Sequence, residues 1–153
     1  MKRMKGLKVF WLFAALALLL TGCAGNVEKK PLNEAVNAAL TESEGLMDFP
    51  ADELEMIADI SEDEITEYVY LASEDGISAR EVIVLRAKDA QTAKNIQQKL
   101  TDYLERRRAE TRDYLPEEYQ LLSQAKVELK GQTVALIVGE NAAKELEALM
   151  KQE

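Results

Sequence analysis

The sequence predicts an α+β fold: a four-stranded, mainly antiparallel sheet built from two hairpins, with helices packed mainly on one face and an N-terminal signal-peptide helix. Residues 66–73 and 80–88 are rich in β-branched and aromatic residues and flank a Glu-Asp-Gly turn signal. Residues 125–130 and 133–138 repeat this arrangement, and a helical pattern comes after each pair. Strands and helices in this order are typical of an α+β domain. The apolar block Val82–Leu85 suggests that its strand is buried on both faces.

Two helices are predicted before the sheet. Apolar residues recur at helical spacing over residues 32–44, and Gly45 ends the pattern. Phe49-Pro50 then breaks the chain. The acidic pair after the proline suits the first turn of a short helix, which we expect to run to about Ala58.

Three further helices are predicted after the strands. Asp89 suits the N-cap of a long helix to about Arg108, whose last-turn arginines complement the helix dipole. Pro116 is well placed as the first residue of the next helix, because proline disfavours helix at the residue before it. Residues 140–150 form the last helix. One stripe of the long helix marks its inner face: Ala93, Ile96, Leu100, Tyr103, Leu104 and Arg107.

The N-terminus has the pattern of a secretory signal peptide. Four basic residues and no acid precede an unbroken apolar run, Val9–Leu20. The basic residues stay on the cytoplasmic side, so the chain beyond the apolar run is exported. The next residues resemble the bacterial lipobox: Leu20, Thr21, Gly22 and Cys23. This resemblance implies cleavage before Cys23 and a covalent diacylglycerol on its sulfur, and two acyl chains anchor a protein stably to a bilayer.

These features divide the chain into three parts. Residues 1–22 are the predicted signal peptide, 23–31 the lipidated N-terminus and tether, and 32–153 a single α+β domain. Eight extended tether residues reach at most about 29 Å, so we expect the domain to lie close to the bilayer. Because the chain is exported, the predicted location is the extracytoplasmic face of the cell membrane. An uncleaved transmembrane helix and a plain secreted protein are the alternatives. Both also place the domain outside the cytoplasm.

The charge of the chain limits its partners. The formal charge of −9 becomes 15 − 28 = −13 once four basic residues leave with the signal peptide, which argues against nucleic acid. Residues 31–79 contain 14 acids and no Lys or Arg. This acidic 31–79 region is either a solvated surface or a dock for a basic protein or envelope partner, or for divalent cations. Residues 59–64 lack the glycine of an EF-hand loop.

Missing residue types exclude several chemistries. The chain has no histidine, which removes Ser-His and Cys-His catalysis and the usual zinc sites. Cys23 is the only cysteine, so no intramolecular disulfide can form and lipidation explains the residue. We therefore expect no metal site, and no cofactor beyond the diacylglycerol on Cys23.

One motif resembles a known family. A turn-to-helix motif, with a strand and a glycine turn after it, contains Tyr114, Leu115, Pro116, Tyr119 and Gly131. Together with the earlier strand, it resembles the domain of unknown function 4358, over about Lys30–Met150. Members are small lipoproteins, chiefly of Gram-positive bacteria in the Firmicutes. Thr133 stands where the family pattern has an aromatic residue, and Arg80 where it has an acid. The resemblance implies a fold and a location but no activity, and the motif has a structural explanation.

The sequence favours a non-enzymatic binding or accessory module of the cell envelope. The competing interpretation is a carboxylate-dependent cell-wall hydrolase, which would need two acids about 5–9.5 Å apart in a cleft. A third is a lipoprotein that binds a small ligand or a metal ion. The sequence contains many acids but does not pair them, and function resides in a site rather than in a fold.

Overall fold

The computed structural model describes residues 29–153. The predicted signal-peptide helix and the lipobox-like residues 20–23 lie outside this part. The described chain forms, in order, α1 (Leu32–Ala39), β1 (Leu46–Asp48), α2 (Ala51–Ala58), β2 (Ile65–Ser73), β3 (Glu81–Ala87), α3 (Ala90–Thr111), α4 (Pro116–Gln124), β4 (Val127–Lys130), β5 (Thr133–Val138) and α5 (Ala142–Gln152). A 3-10 turn, Glu62–Glu64, precedes β2.

The strands form one antiparallel sheet in the order β1-β2-β3-β5-β4. The α+β class and the two predicted hairpins, β2–β3 and β4–β5, are confirmed. The predicted number of four strands is wrong, because β1 adds a fifth at the edge beside β2. This strand, Leu46–Asp48, lies between Gly45 and Pro50. Its three residues are too few to show an alternating pattern in the sequence. Gly45 adopts a φ of +77°, a left-handed conformation that favours glycine, and so turns the chain into β1.

Helices cover both faces of the sheet, which corrects the prediction of mainly one face. Ile83 and Leu85 of β3 point into a core formed with α2, α3 and α4. Val82 and Val84, which alternate with them, point into a second core formed with α1 and α5. All six residues of β5 are buried as well. The suggested burial of Val82–Leu85 on both faces is thus confirmed, and it required helices on each side.

Helix α1 is shorter than predicted. It ends at Ala39 rather than near residue 44, and Leu40 is already extended. The reason is Glu145 of α5, which accepts hydrogen bonds from the Thr41 backbone N–H at 2.7 Å and from the Thr41 hydroxyl at 2.6 Å. The Thr41 N–H, which a further turn of α1 would bond to a carbonyl of α1, is therefore bonded to α5 instead.

The long helix begins as predicted, because Asp89 caps α3 by accepting the Thr92 N–H at 2.7 Å. Its last arginines have a role beyond the α3 dipole. Arg108 donates from Nε to the carbonyl of Leu122 at 2.8 Å and from Nη2 to that of Ala125 at 2.6 Å, both at the C-terminal end of α4. Arg106 donates to a carbonyl near the end of α2. These side chains satisfy terminal carbonyls of the neighbouring helices.

Burial on both faces predicts that the centre of β3 tolerates no unpaired charge on either side. Ile83→Asp and Val84→Asp should each unfold the domain or destabilise it by more than about 4 kcal/mol, because each places an unpaired carboxylate in a core. The control, Ile77→Asp, lies at a position 63% exposed and should stay near wild type. Circular dichroism with urea unfolding measures all three. Tolerance of Val84→Asp alone would mean that α1 and α5 do not cover this face.

Candidate functional site

A buried polar cluster lies between the start of β3 and the last turns of α3. The Glu81 residue is only 2% exposed. The Tyr103 hydroxyl donates to Oε1 of Glu81 at 2.8 Å, and Arg107 Nη1 donates to Oε2 at 2.8 Å. Tyr70 of β2 is buried in the same core. Strand β3 positions the carboxylate, and the inner stripe of α3 supplies its two main donors.

The electrostatics of the cluster result from its burial. Burial raises the pKa of the Glu81 carboxyl, and the charge of Arg107 with the Tyr103 hydrogen bond offsets only part of the rise. Burial and the Glu81 charge raise the pKa of Tyr70 and Tyr103, so both phenols stay protonated. Burial alone would lower the pKa of Arg107, but the attraction of Glu81 outweighs it and the net shift is upward.

This arrangement suits attachment of α3 to the sheet better than acid–base chemistry. Both oxygens of Glu81 already accept a hydrogen bond, and Arg107 supplies the counter-charge. Two other carboxylates of residues 29–153 have buried side chains: Glu145 lies in the layer on the opposite face, and Glu153 accepts hydrogen bonds from Arg86 and Thr133. Within the same residues, His, Cys, Asp and Glu form no group of three that could hold a metal ion.

Sequence reasoning did not identify Glu81. It begins an apolar strand, where the alternation gives no reason to single out an acid. One signal did exist, since the inner stripe of α3 included Arg107 among apolar residues. A cation on a buried face requires a buried partner. That requirement points to an acid on the facing strand without saying which one.

The family motif occupies the join between α3 and α4. Pro116 is the first residue of α4, which confirms the prediction for this position. Tyr114 is 84% exposed, and Leu115 is 37% exposed. Tyr119 is half-buried, with its ring centre 5.7 Å from the Arg112 guanidinium carbon, within cation–π range. The contacts of the motif residues are those of a turn-to-helix join.

Gly131 has a conformational reason in the structure. Its φ of +61° falls in the left-handed region, and Gly131-Gln132 form the two-residue turn between β4 and β5. The neighbouring Thr133 is fully buried, and its hydroxyl donates to Oε2 of Glu153 at 2.6 Å. Here a hydroxyl with a charged acceptor fills the position where an aromatic side chain was expected.

The acidic 31–79 region does not form one continuous face. Three of its acids pair with cations from later in the chain: Glu67 with Arg86, Glu64 with Lys99 at 2.8 Å, and the exposed Asp59 with Lys99 at 3.9 Å. Glu64 also caps its own 3-10 turn through the Ser61 N–H. These acids hold the 3-10 turn and β2 to their neighbours. The rest of the region provides the exposed negative surface.

The two ends of the sheet have different surroundings. The entry end, as we call it, is the end of the sheet at which the described chain begins. There Arg86 of β3 donates to the Lys30 carbonyl, and the Lys29 Nζ lies 3.8 Å from a carboxylate oxygen of Glu153. At the opposite end, the far end, Arg80 donates to the carbonyls of the loop after α1. Acidic residues surround Arg80 there: Glu42, Glu44, Glu74, Asp75, Glu117, Glu118 and Glu140. The far end is therefore strongly acidic.

The buried ion pair makes a thermodynamic prediction. Arg107→Met leaves Glu81 buried without its counter-charge and should cost about 3–5 kcal/mol. Glu81→Gln combined with Arg107→Met should recover part of this loss. The matched control Arg112→Met removes an exposed cation at the end of the same helix, together with its cation–π contact to Tyr119, and should cost no more than about 1 kcal/mol. Urea unfolding at pH 7 measures all of these variants.

The same variant has a defined pH dependence. The pKa of Glu81 is raised in the folded state, so folding favours its protonated form. The loss of unfolding free energy in Arg107→Met is complete at pH values above the pKa of Glu81 in the folded state. It disappears at pH values below the pKa of Glu81 in the unfolded state, 4.5. The stability gap between this variant and wild type should therefore narrow as the pH falls from 7 towards 4.5. A gap that is constant with pH would show that Glu81 is not the residue left unpaired.

Comparison with known proteins identifies the family alone. A family model, the domain of unknown function (DUF4358), matches residues 39–139. No curated protein and no solved structure shows a significant match to the chain. The matched range runs from the end of α1 to the end of β5 and so contains the whole sheet, the Glu81 cluster and the turn-to-helix motif. The chain belongs to the DUF4358 family.

Proposed function

We propose that this chain is a lipid-anchored protein on the extracytoplasmic face of the cell membrane, whose domain is a non-enzymatic binding or accessory module of the envelope. The observation that carries the proposal is Cys23, the only cysteine, at the end of Leu-Thr-Gly-Cys directly after the apolar run Val9–Leu20. A diacylglycerol on this sulfur would contribute about 0.8 kcal/mol for each buried methylene. The resemblance to the domain of unknown function 4358 suggests a Gram-positive, Firmicutes-type origin.

The fold supports a defined orientation for such an anchored domain. Lys29 and Lys30 lie at the entry end of the sheet, next to Glu153 and Arg86. Only six residue steps separate Cys23 from Lys29, and an extended chain of that length spans at most about 22 Å. The entry end would thus face the bilayer. The acidic far end would project away from the membrane, where the negative lipid surface does not repel it.

The non-enzymatic part of the proposal rests on the buried carboxylates Glu81, Glu145 and Glu153, each of which accepts a hydrogen bond from a side chain of the protein. Glu81 and Glu145 lie in cores on opposite faces of the sheet, and both accept hydrogen bonds from side chains of the protein. A glycoside hydrolase of the expected class needs two carboxyl groups that flank one substrate bond. The exposed acids of the far end are better suited to contact a basic partner. Among residues 29–153, no helix is long and apolar enough to cross a membrane.

The anchor is tested by substitution of one atom, the acylated sulfur. Wild-type protein expressed in a Gram-positive host should fractionate with membranes and label with a palmitate analogue. Cys23→Ser should lose the label and keep the uncleaved signal peptide, because the peptidase acts on the lipidated cysteine. Ala24→Ser, which leaves the four lipobox-like residues intact, is the matched control and should behave as wild type. An unlabelled Cys23→Ser that remains in membranes at the processed mass would refute the anchor.

A further inference from the structure

Three large apolar side chains are exposed on two segments at the far end of the sheet. Tyr114 is 84% exposed and Leu115 is 37% exposed, and both lie at the join between α3 and α4. Ile77, in the loop between β2 and β3, is 63% exposed. We call these three residues the apolar patch. Single exposed apolar residues are ordinary, but a group of them rimmed by polar residues marks an interaction surface.

A hydrogen bond joins the two segments of the apolar patch. The Ala79 N–H, two residues after Ile77, donates to Oε2 of Glu118 at 2.5 Å. Leu115 is the N-cap residue of α4, and Glu118 lies three residues later, which places both on the same side of the helix. Ile77 and Leu115 therefore lie on the two sides of one hydrogen bond. Tyr114, the neighbour of Leu115, extends the exposed apolar surface.

A groove of about 590 Å³ runs beside the apolar patch, between α4, the β2–β3 loop and the loop after β5. We call it the α4 groove. Ser78, which lines it from the β2–β3 loop, follows Ile77 directly. Glu117, which lines it from α4, lies two residues after Leu115. The apolar patch and the α4 groove therefore form one continuous surface.

The charges in the α4 groove indicate what it can bind. Three carboxylates line it, those of Glu117, Glu118 and Glu140, together with one cation, Arg80. Arg80 already donates to carbonyls of the loop after α1. Within residues 29–153, no Lys or Arg side chain forms an ion pair with the three carboxylates. The side chain of Leu121 adds an apolar wall. This combination suits an arginine or lysine, whose stem packs on apolar surface while its charged head meets carboxylates.

We propose that the apolar patch and the α4 groove together bind a partner protein through a segment in which Arg or Lys residues stand next to apolar ones. The partner's cations enter the α4 groove, and its apolar side chains cover the apolar patch. Tyrosine is among the residues that contribute most at the centre of an interface, so Tyr114 is the expected anchor. The inference rests on the proposed binding function and names its surface and partner chemistry.

Two other occupants fit this surface less well. A second copy of this chain would place the same unpaired carboxylates opposite one another, and like charges disfavour such a contact. A lipid surface lies at the entry end in the proposed orientation, and anionic headgroups repel carboxylates. Both occupants are outcomes that the test distinguishes from a basic partner.

The test titrates the full chain, in a non-ionic detergent, with three acetylated and amidated pentapeptides. Arg-Leu-Arg-Leu-Arg combines cations with apolar residues, Arg-Ser-Arg-Ser-Arg keeps the charge alone, and Glu-Leu-Glu-Leu-Glu reverses the charge. Backbone amide chemical shifts at Ser78 and Leu121, measured by NMR, report binding. The arginine–leucine peptide should shift both amides with a dissociation constant on the order of 1 mM, because it makes few contacts. The other two peptides should bind at least about fivefold more weakly, because each lacks one half of the recognition.

One pair of variants tests the carboxylates of the α4 groove. Glu117→Gln combined with Glu140→Gln removes two of them and leaves Glu118, which holds the β2–β3 loop, in place. The arginine–leucine peptide should then bind about tenfold more weakly, at about threefold for each exposed ion pair. The control, Glu55→Gln combined with Glu147→Gln, removes two exposed carboxylates from α2 and α5 and should leave the dissociation constant unchanged. Both combinations should melt near the wild-type temperature.

A second pair of variants tests the apolar patch. Tyr114→Ala should weaken binding of the arginine–leucine peptide at least about fivefold, because it removes the expected anchor. The fold should stay intact, since this side chain is 84% exposed. The control, Met56→Ala, truncates an apolar side chain of α2 that is 73% exposed and should bind the peptide as wild type does.

Binding that depends on both the groove carboxylates and Tyr114 supports the proposal. It is overturned if about 10 mM of the arginine–leucine peptide shifts neither amide, if the arginine–serine peptide binds equally well, or if either groove or patch variant behaves like its control. Shifts at the same amides that rise with protein concentration without peptide overturn it in favour of a second copy. Shifts caused by phosphatidylglycerol vesicles overturn it in favour of a lipid surface.

The membrane anchor is independent of these outcomes. The peptide titration does not depend on Cys23, and the fractionation assay does not depend on the α4 groove. Failure of one therefore leaves the result of the other unchanged.

Discussion

The structure depends on the burial of β3 and β5 from both faces. Apolar side chains alternate along these strands and fill two separate cores, one with α2, α3 and α4 and one with α1 and α5. Neither set of helices could shield the sheet alone, since strands with apolar residues on both sides need cover on both sides. This burial fixes the strand order, because the most apolar strands occupy the centre and the more polar β1, β2 and β4 lie outside them.

Strand β3 also places two charged residues where they hold helices from opposite layers. Glu81 at its start binds Tyr103 and Arg107 of α3 on one face. Arg86 near its end binds Glu153, the residue after α5, on the other face, and also pairs with Glu67 of β2. Buried charges with good partners define geometry more than they add stability. They fix the orientation of α3 and of the chain after α5 against one strand.

The sequence predicted most of the fold because the long elements are strongly periodic. The β4–β5 turn at Gly131, the Asp89 cap and the Pro116 start are all set by local chemistry. The errors came from long-range contacts: Glu145 ends α1 early through a partner more than a hundred residues away, and β1 is too short to show a pattern. The candidate sites show the same limit. Glu81 is recognised as a buried, partnered acid only when β3 and α3 are placed together.

Native-state hydrogen exchange at increasing urea tests the doubly covered centre most directly. We expect the amides of β3, β5, α3 and α5 to share one opening free energy, equal to that of global unfolding, because both cores close on the same strands. If α1 and α5 opened together at a clearly lower free energy while β3, β5 and α3 stayed protected, the two layers would be independent, and burial from both faces would not be the constraint that holds the fold together.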